Sequence, residues 1–226
     1  MSRLAAAALE RYRRDGFLFP IGVLTTGEAL EHRRRLEAVE AAHGGRLGGD
    51  LRHKPHLLFT WLADLVRHPV ILDAVEDVLG PHLLVWSTSF FIKAARDPAY
   101  VSWHQDATYW GPSEPDVVTA WLAVTDATVD NGAMRMRAGE MSLHHVRMVH
   151  GSPPNRSDDR RIGFAIRYVP TRVRQLAGED DSAMLVRGVD DYHHFAPERP
   201  PAFDLAPEAR AHHAEAVARA ARILYR

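Results

Sequence analysis

The spacing of apolar residues changes character at Gly80. Before it, hydrophobic positions recur at helical intervals. Val70, Ile71, Ala74, Val75, Val78 and Leu79 fall on one face of a 3.6-residue repeat, with Pro69 fitted to a first turn and Gly80 to the position past the last. Residues 3–15, rich in Ala and Arg and stopped by Gly16, predict an earlier helix. Phe17 to Pro20 is a short apolar extended piece. Thr25 and Glu28 have the spacing of a capping box and open a charged helix to about Ala42. Gly44-Gly45 and Gly48-Gly49 bracket a flexible connection, and Pro55 to Leu65 is apolar and aromatic.

After Gly80, runs rich in β-branched and aromatic residues predict strands at Leu83–Ile92, Tyr100–His104, Val117–Val124, Met141–Val149 and Ile162–Val169. Asp97-Pro98, Gly111-Pro112, Asp130-Asn131-Gly132 and Pro153-Pro154-Asn155 punctuate them. Short strands without intervening helices predict a mainly β fold with α additions, an antiparallel jelly roll flanked by helices. Residues 1–226 read as one domain: a helical part to about residue 80, a jelly-roll core over about 81–187, and a C-terminal helix over about 206–225. A proline-rich connector over 196–205 precedes that helix.

With 226 residues, 46% of them hydrophobic, the chain can bury a sizeable core. A formal charge of −1 with dispersed basic residues gives no electrostatic reason for a nucleic-acid or anionic-membrane partner. Cysteine is absent, which excludes disulfides, thiolate metal sites and a Cys nucleophile, and leaves any metal to nitrogen and oxygen donors. The run Leu4 to Leu9 is short and broken by Glu10-Arg11, unlike a signal peptide, and no segment approaches the roughly 20 apolar residues of a membrane span. The expectation is a soluble, cytoplasmic protein acting on a small molecule.

The candidate chemistry centres on Trp103-His104-Gln105-Asp106 and Tyr109-Trp110-Gly111. On an extended strand, residues two apart project to the same side, so His104 and Asp106 can close on one cation. With His150 they make a 2-His-1-carboxylate set that leaves three adjacent positions open on Fe(II). A His-x-Asp triplet alone reads equally well as a satisfied His beside a surface Asp. Here Trp103, Gln105, Tyr109 and Trp110 accompany it as an expected pocket wall for substrate. His150 ends a strand-like run and a polar turn follows. Two strands joined by that turn would be antiparallel neighbours, bringing Arg161 to His150 with a planar fork for a carboxylate. His144 and His145 point to opposite faces, so one of them can approach the site. Arg160 and Arg167 are expected to be solvated or structural.

The segments Trp103 to Gly111, Trp121 to Gly132 and His150 to Tyr168 resemble the phytanoyl-CoA dioxygenase family of Fe(II)- and 2-oxoglutarate-dependent oxygenases, with a weaker likeness from Tyr12 to Tyr225. The resemblance implies a double-stranded β-helix of the cupin-like kind and metal ligands at His104, Asp106 and His150. It also implies that Arg161 and Ser152 hold the far carboxylate of 2-oxoglutarate, that Trp121 forms a pocket wall, and that Lys54 lies near the co-substrate. O2 is the implied oxidant, with succinate and CO2 as co-products. Related halogenases carry a small residue where Asp106 stands, so its presence implies a hydroxylase-type oxygenase. Two rival readings use the same residues: a Zn²⁺ hydrolase on the triad, and a jelly-roll binding protein without catalysis. In relatives a long lid follows the stretch ending at Met136, whereas here Arg137-Ala138-Gly139-Glu140 follows at once. The expectation is an omitted segment, seen as a backbone break between Met136 and Arg137.

Overall fold

The computed structural model describes residues 4–132 and 135–224. Helix α1, Ala6–Asp15, stops where Gly16 turns left-handed at φ +76°. Strand β1 is Phe17–Gly22. Helix α2, Thr26–Ala42, opens on the predicted capping box: Glu28 N–H donates to Thr25 Oγ1 at 3.2 Å, and Thr25 N–H to the Glu28 carboxylate at 2.7 Å. The apolar stretch after the glycine pairs becomes α3 at Gly49–Arg52, a 3-10 turn at Pro55–Leu57 and α4 at Thr60–Leu65. Helix α5, Pro69–Leu79, buries Ile71, Leu72, Ala74, Val75 and Leu79, the face set by its periodicity.

Then follow β2 at Leu83–Lys93, β3 at Val101–His104, α6 at Ala107–Trp110, β4 at Val118–Ala123 and β5 at Glu140–His145. The chain continues through β6 at His150–Ser152, β7 at Arg161–Pro170, β8 at Ser182–Arg187, β9 at Ala196–Pro197 and α7 at Pro207–Leu224. Seven strands form one sheet in the order β1-β5-β4-β7-β2-β8-β9, and β3 pairs with β6 in a small second sheet. The ladders are antiparallel except β8 with β9.

Strand β7 lies between β4 and β2, and all ten of its residues are buried. Its period-two alternation sorts them. Ile162, Phe164, Ile166 and Tyr168 join the main apolar core with Leu62, Leu65, Ile71 and Val75 of the helices. The Tyr168 hydroxyl donates to the Val66 carbonyl at 2.8 Å. The other face presents Arg161, Ala165 and Arg167 to a cavity beneath β3 and β6.

Three expectations need correction. The strand predicted over Met141–Val149 divides: β5 ends at His145, Met148 N–H closes a turn on the His145 carbonyl at 2.8 Å, and His150 starts β6 in the other sheet. His150 and Arg161 are therefore not ladder neighbours, because β7 pairs with β4 and β2. No break separates Met136 from Arg137. Met136 exchanges two 2.9 Å backbone hydrogen bonds with Ala127, Arg137 N–H donates to the Glu140 carboxylate at 2.7 Å, and Glu140 begins β5. Strands β8 and β9 were not predicted; they are short pieces at one side of the large sheet. Among the described residues, no helix is long and apolar enough to cross a membrane.

Candidate metal centre

His104, the last residue of β3, is directly bridged to His150, the first of β6. Their ring centroids are 4.2 Å apart. Asp106 reaches them by a different route from the expected strand alternation. Strand β3 stops at His104, and Asp106 takes helical angles, φ −61° and ψ −36°, at the entry to α6. The turn is held by Ala107 N–H donating to the Val146 carbonyl at 3.0 Å, and it places Asp106 Oδ1 3.5 Å from His104 Nε2. One donor atom from each of His104, Asp106 and His150 lies within 4.8 Å of the others, close enough for one cation to draw on all three.

The imidazoles are preset for that task. His104 Nδ1 donates to the Ser102 carbonyl at 2.8 Å, and His150 Nδ1 to the Met148 carbonyl at 3.0 Å. A proton fixed on Nδ1 leaves the Nε2 lone pair free for a metal. Two nitrogens and a carboxylate oxygen, without thiolate, form a donor set suited to Fe(II).

The triad opens on a cavity of about 370 Å³ that Phe91, Trp103, Trp121, Ser152, Arg161 and Arg167 also line. Arg161 is 5% exposed, and its buried Nε has no hydrogen-bond partner. Its guanidinium lies 5.3 Å from the Trp121 ring, and burial draws its pKa down to about 10. A buried guanidinium without a carboxylate is an incomplete pair, ready for an anionic ligand. Trp121 owes its position to Gly163: a Cβ there would meet the indole at 1.9 Å. The Ser152 hydroxyl lines the cavity while donating to the Gly132 carbonyl. Of the two adjacent histidines, His144 faces the cavity. Its ring stacks on His150 with centroids 6.3 Å apart, and burial, then His150 nearby, lowers its pKa to about 4, so it is neutral. His145 instead accepts from Arg147 N–H at 3.1 Å.

Other expected site residues lie elsewhere. Lys54 does not line this cavity: its ammonium donates to Glu198 at 2.5 Å and to the Ser182 carbonyl at 2.8 Å. Gln105 donates to the Arg147 carbonyl at 2.7 Å, and Tyr109 is 62% exposed. Trp110 packs edge-on against Trp86, 5.3 Å away, because α6 carries it away from the triad. Trp103 does line the cavity, at its open rim, 77% exposed. Arg160 is structural, bidentate to Glu40 at 2.7 and 2.8 Å. Arg167 is not solvated; it is 9% exposed and reaches the cavity.

Sequence reasoning also passed over Lys93. It sits opposite Arg161 in the β2–β7 ladder and donates to the carbonyls of Ala99 at 2.9 Å, Ser152 at 3.2 Å and Pro153. A lone cation ending a long apolar strand was its only mark in the sequence.

This geometry has close counterparts. The nickel complex of the non-heme monooxygenase ThoJ shares 38% identity over 96% of this chain and 98% of that one, with a TM-score of 0.88. CytC3 with Fe(II) and alpha-ketoglutarate shares 26% identity over 90% and 97%, with a TM-score of 0.70. L-proline trans-4-hydroxylase of Streptomyces griseoviridis is 27% identical over 172 residues, which is 70% of this chain and 64% of that protein. A probable alpha-ketoglutarate-dependent hypophosphite dioxygenase of Stutzerimonas stutzeri is 26% identical over 167 residues, 55% of this chain and 58% of that protein. The chain thus spans less than two thirds of the length of these two curated relatives. The family model for phytanoyl-CoA dioxygenase matches residues 12–136 and 133–163, two stretches that overlap over residues 133–136. Matched over more than half its length, and holding the His-Asp-His cluster within that match, the chain belongs to the phytanoyl-CoA dioxygenase family.

Proposed function

We propose that the protein is an Fe(II)- and 2-oxoglutarate-dependent dioxygenase that hydroxylates or otherwise oxidises a small molecule. The observation that carries this reading is the convergence of His104, Asp106 and His150 beside a buried arginine that lacks a carboxylate. In the proposed site those three residues hold iron. Arg161, stacked on Trp121, takes the far carboxylate of 2-oxoglutarate, with Ser152 as a supporting hydroxyl. When bound, iron and 2-oxoglutarate supply oxidative decarboxylation by O2, giving succinate and CO2 and leaving one oxygen atom for the substrate.

The chain contributes orientation and dryness. Backbone carbonyls of Ser102 and Met148 hold the two imidazoles in the binding tautomer, so little rearrangement accompanies loading. Asp106 would supply the carboxylate ligand where related halogenases carry a small residue, which favours oxygen transfer over halogenation. Neutral His144 beside His150 adds no positive charge next to the metal. The curated relatives, a proline hydroxylase and a hypophosphite dioxygenase by name, support a small substrate.

Protein purified without oxygen and loaded with Fe(II) should convert 2-oxoglutarate to succinate only when O2 is admitted. Asp106→Ala and His150→Ala should abolish both turnover and high-affinity binding of Mn(II). Succinate formation without O2, or hydrolysis supported by Zn²⁺ alone, would exclude the proposal.

A further inference from the structure

Several arginines elsewhere in this chain pair with carboxylates, Arg33 with Asp159, Arg160 with Glu40, Arg172 with Asp116 and Arg187 with Asp73. The two that line the metal cavity do not. Arg161 has a role in the proposed function. Arg167 does not, although it is as deeply placed.

Arg167 shares a face of β7 with Arg161, and the small residues Gly163 and Ala165 stand between them. At the strand rise of about 3.3 Å per residue, their backbones are about 20 Å apart, at opposite ends of the cavity floor. The Arg167 guanidinium lies between aromatic rings, 5.5 Å from Phe91 and 5.4 Å from Trp110. Its Nη1 donates to the neutral Ser89 hydroxyl at 3.0 Å, and its buried Nε has no partner. Asp106 acts on it only through space.

Arg167 and Phe91 also line a second cavity, of about 310 Å³, that adjoins the metal cavity. The charged side chains around this second space are Arg52, Lys54 and Arg167, and none is acidic. Glu198 already neutralises Lys54, and Arg52 is exposed at the outer side, where its Nε donates to the Phe90 carbonyl at 3.1 Å. A cation withdrawn from water is costly unless an anion compensates it, and the described residues place none in contact with Arg167.

We infer that Arg167 receives an anionic group, a carboxylate in its simplest form, of the primary substrate, whose apolar part rests against Phe91 and Trp110. The inference builds on the oxygenase reading, in which Arg161 is occupied by the co-substrate. A carboxylate at Arg167 has two possible sources, the substrate or the metal-proximal end of 2-oxoglutarate; the assignment is to the substrate, and the test separates the two.

The test uses full-length protein loaded with Mn(II), with phenylacetate and its neutral analogue phenylacetamide as probes, in calorimetric titrations with and without 2-oxoglutarate. Wild-type protein should bind phenylacetate alongside 2-oxoglutarate and bind the amide about tenfold more weakly or worse. Arg167→Met should weaken phenylacetate by about tenfold or more, leave 2-oxoglutarate within about threefold of wild type, and abolish the preference for acid over amide. Arg167→Lys should keep part of that preference. Because removing an uncompensated buried charge relieves the fold, Arg167→Met should melt no lower than wild type.

The inference is overturned if Arg167→Met weakens 2-oxoglutarate as much as phenylacetate, for the arginine then serves the co-substrate. It is equally overturned if phenylacetate competes with 2-oxoglutarate, fails to bind, or binds both proteins alike, or if Arg167→Met melts well below wild type, which marks a structural role. Failure of wild-type protein to bind 2-oxoglutarate would count against the oxygenase reading itself, and the phenylacetate titration without co-substrate would still decide on Arg167.

Discussion

At the level of single residues, the site depends on small groups as much as on ligands. Gly163 has an ordinary backbone; it is needed for space, since Trp121 covers it and a Cβ would intrude to 1.9 Å from the ring. Gly163→Ala should therefore push Trp121 off its stack with Arg161. The expected results are a loss of about 1–3 kcal/mol in stability from overpacking and, in calorimetry with Mn(II), 2-oxoglutarate binding weaker by about tenfold. Adding Trp121→Phe should recover stability, because the smaller ring makes room for the methyl group. Wild-type behaviour of Gly163→Ala in both measurements would mean that the indole does not hold the guanidinium. The pattern Arg161-x-Gly163-x-Ala165-x-Arg167 was open to sequence reasoning, since period two puts all four on one face. What the sequence lacked was any sign that Arg167 is buried, because a guanidinium in a strand looks the same whether it faces water or a cavity.

At the level of elements, the centre is assembled by joining a short sheet to a long one. Strand β6 carries His150 but has only three residues, and its ladder to β3 is brief. Lys93, fixed in the eleven-residue β2, ties that small sheet down through the carbonyls of Ala99, Ser152 and Pro153. Lys93→Met keeps the stem and removes the donors. It should lower stability by about 1–3 kcal/mol and weaken Mn(II) binding severalfold, read by thermal melting and by titration. Thr25→Ala provides the contrast: losing the α2 cap should cost about 1 kcal/mol and leave Mn(II) affinity unchanged, because α2 contributes nothing to the triad. Equal loss of metal affinity in both variants would make the Lys93 effect one of general stability. The same size argument explains what the sequence disclosed. The long apolar strands β2 and β7, the fully buried apolar β4 and the periodic α5 carry their own signal. Strands β6, β8 and β9 have three, six and two residues and are defined by the partners they meet. The triad was legible as three residue types, but the way Asp106 reaches it, through a helical turn after β3, was not, since His-x-Asp spacing suits a strand and a turn alike.

For the whole molecule, the helical N-terminal part, the large sheet and the C-terminal connector meet at one buried ionic cluster outside the His104, Asp106 and His150 triad. Lys54, at the 3-10 turn, pairs with Glu198 at 2.5 Å; Ser182 of β8 donates to the same oxygen at 2.7 Å. His56 Nε2 lies 3.6 Å from the other carboxylate oxygen, and its Nδ1 is 2.8 Å from the Thr88 hydroxyl on β2. Burial alone would raise the Glu198 pKa, but Lys54 and His56 overcome it and hold the carboxyl at about 2, below its usual 4.5. Burial dominates at His56 and lowers its pKa from the usual 6.5 against the pull of Glu198. Both folded-state values lie below the unfolded ones, so below those ordinary values the unfolded chain binds more protons and acid weakens the fold. Stability should be steady above about pH 6.5, fall as pH drops below that through His56 and the other histidines whose pKa burial lowers, His32, His53 and His144 among them, and fall again from about 4.5 towards 2 as Glu198 is protonated. Glu198→Gln isolates the second step. It should lower stability near neutrality by about 3–5 kcal/mol, because Lys54 is left buried without its partner, and it should flatten the decline between pH 4.5 and 2. Denaturant titrations of both proteins across this range would measure it. An acid slope in Glu198→Gln equal to that of wild type would place the acid sensitivity in other carboxylates, such as Asp159, which Arg33 holds below its usual pKa.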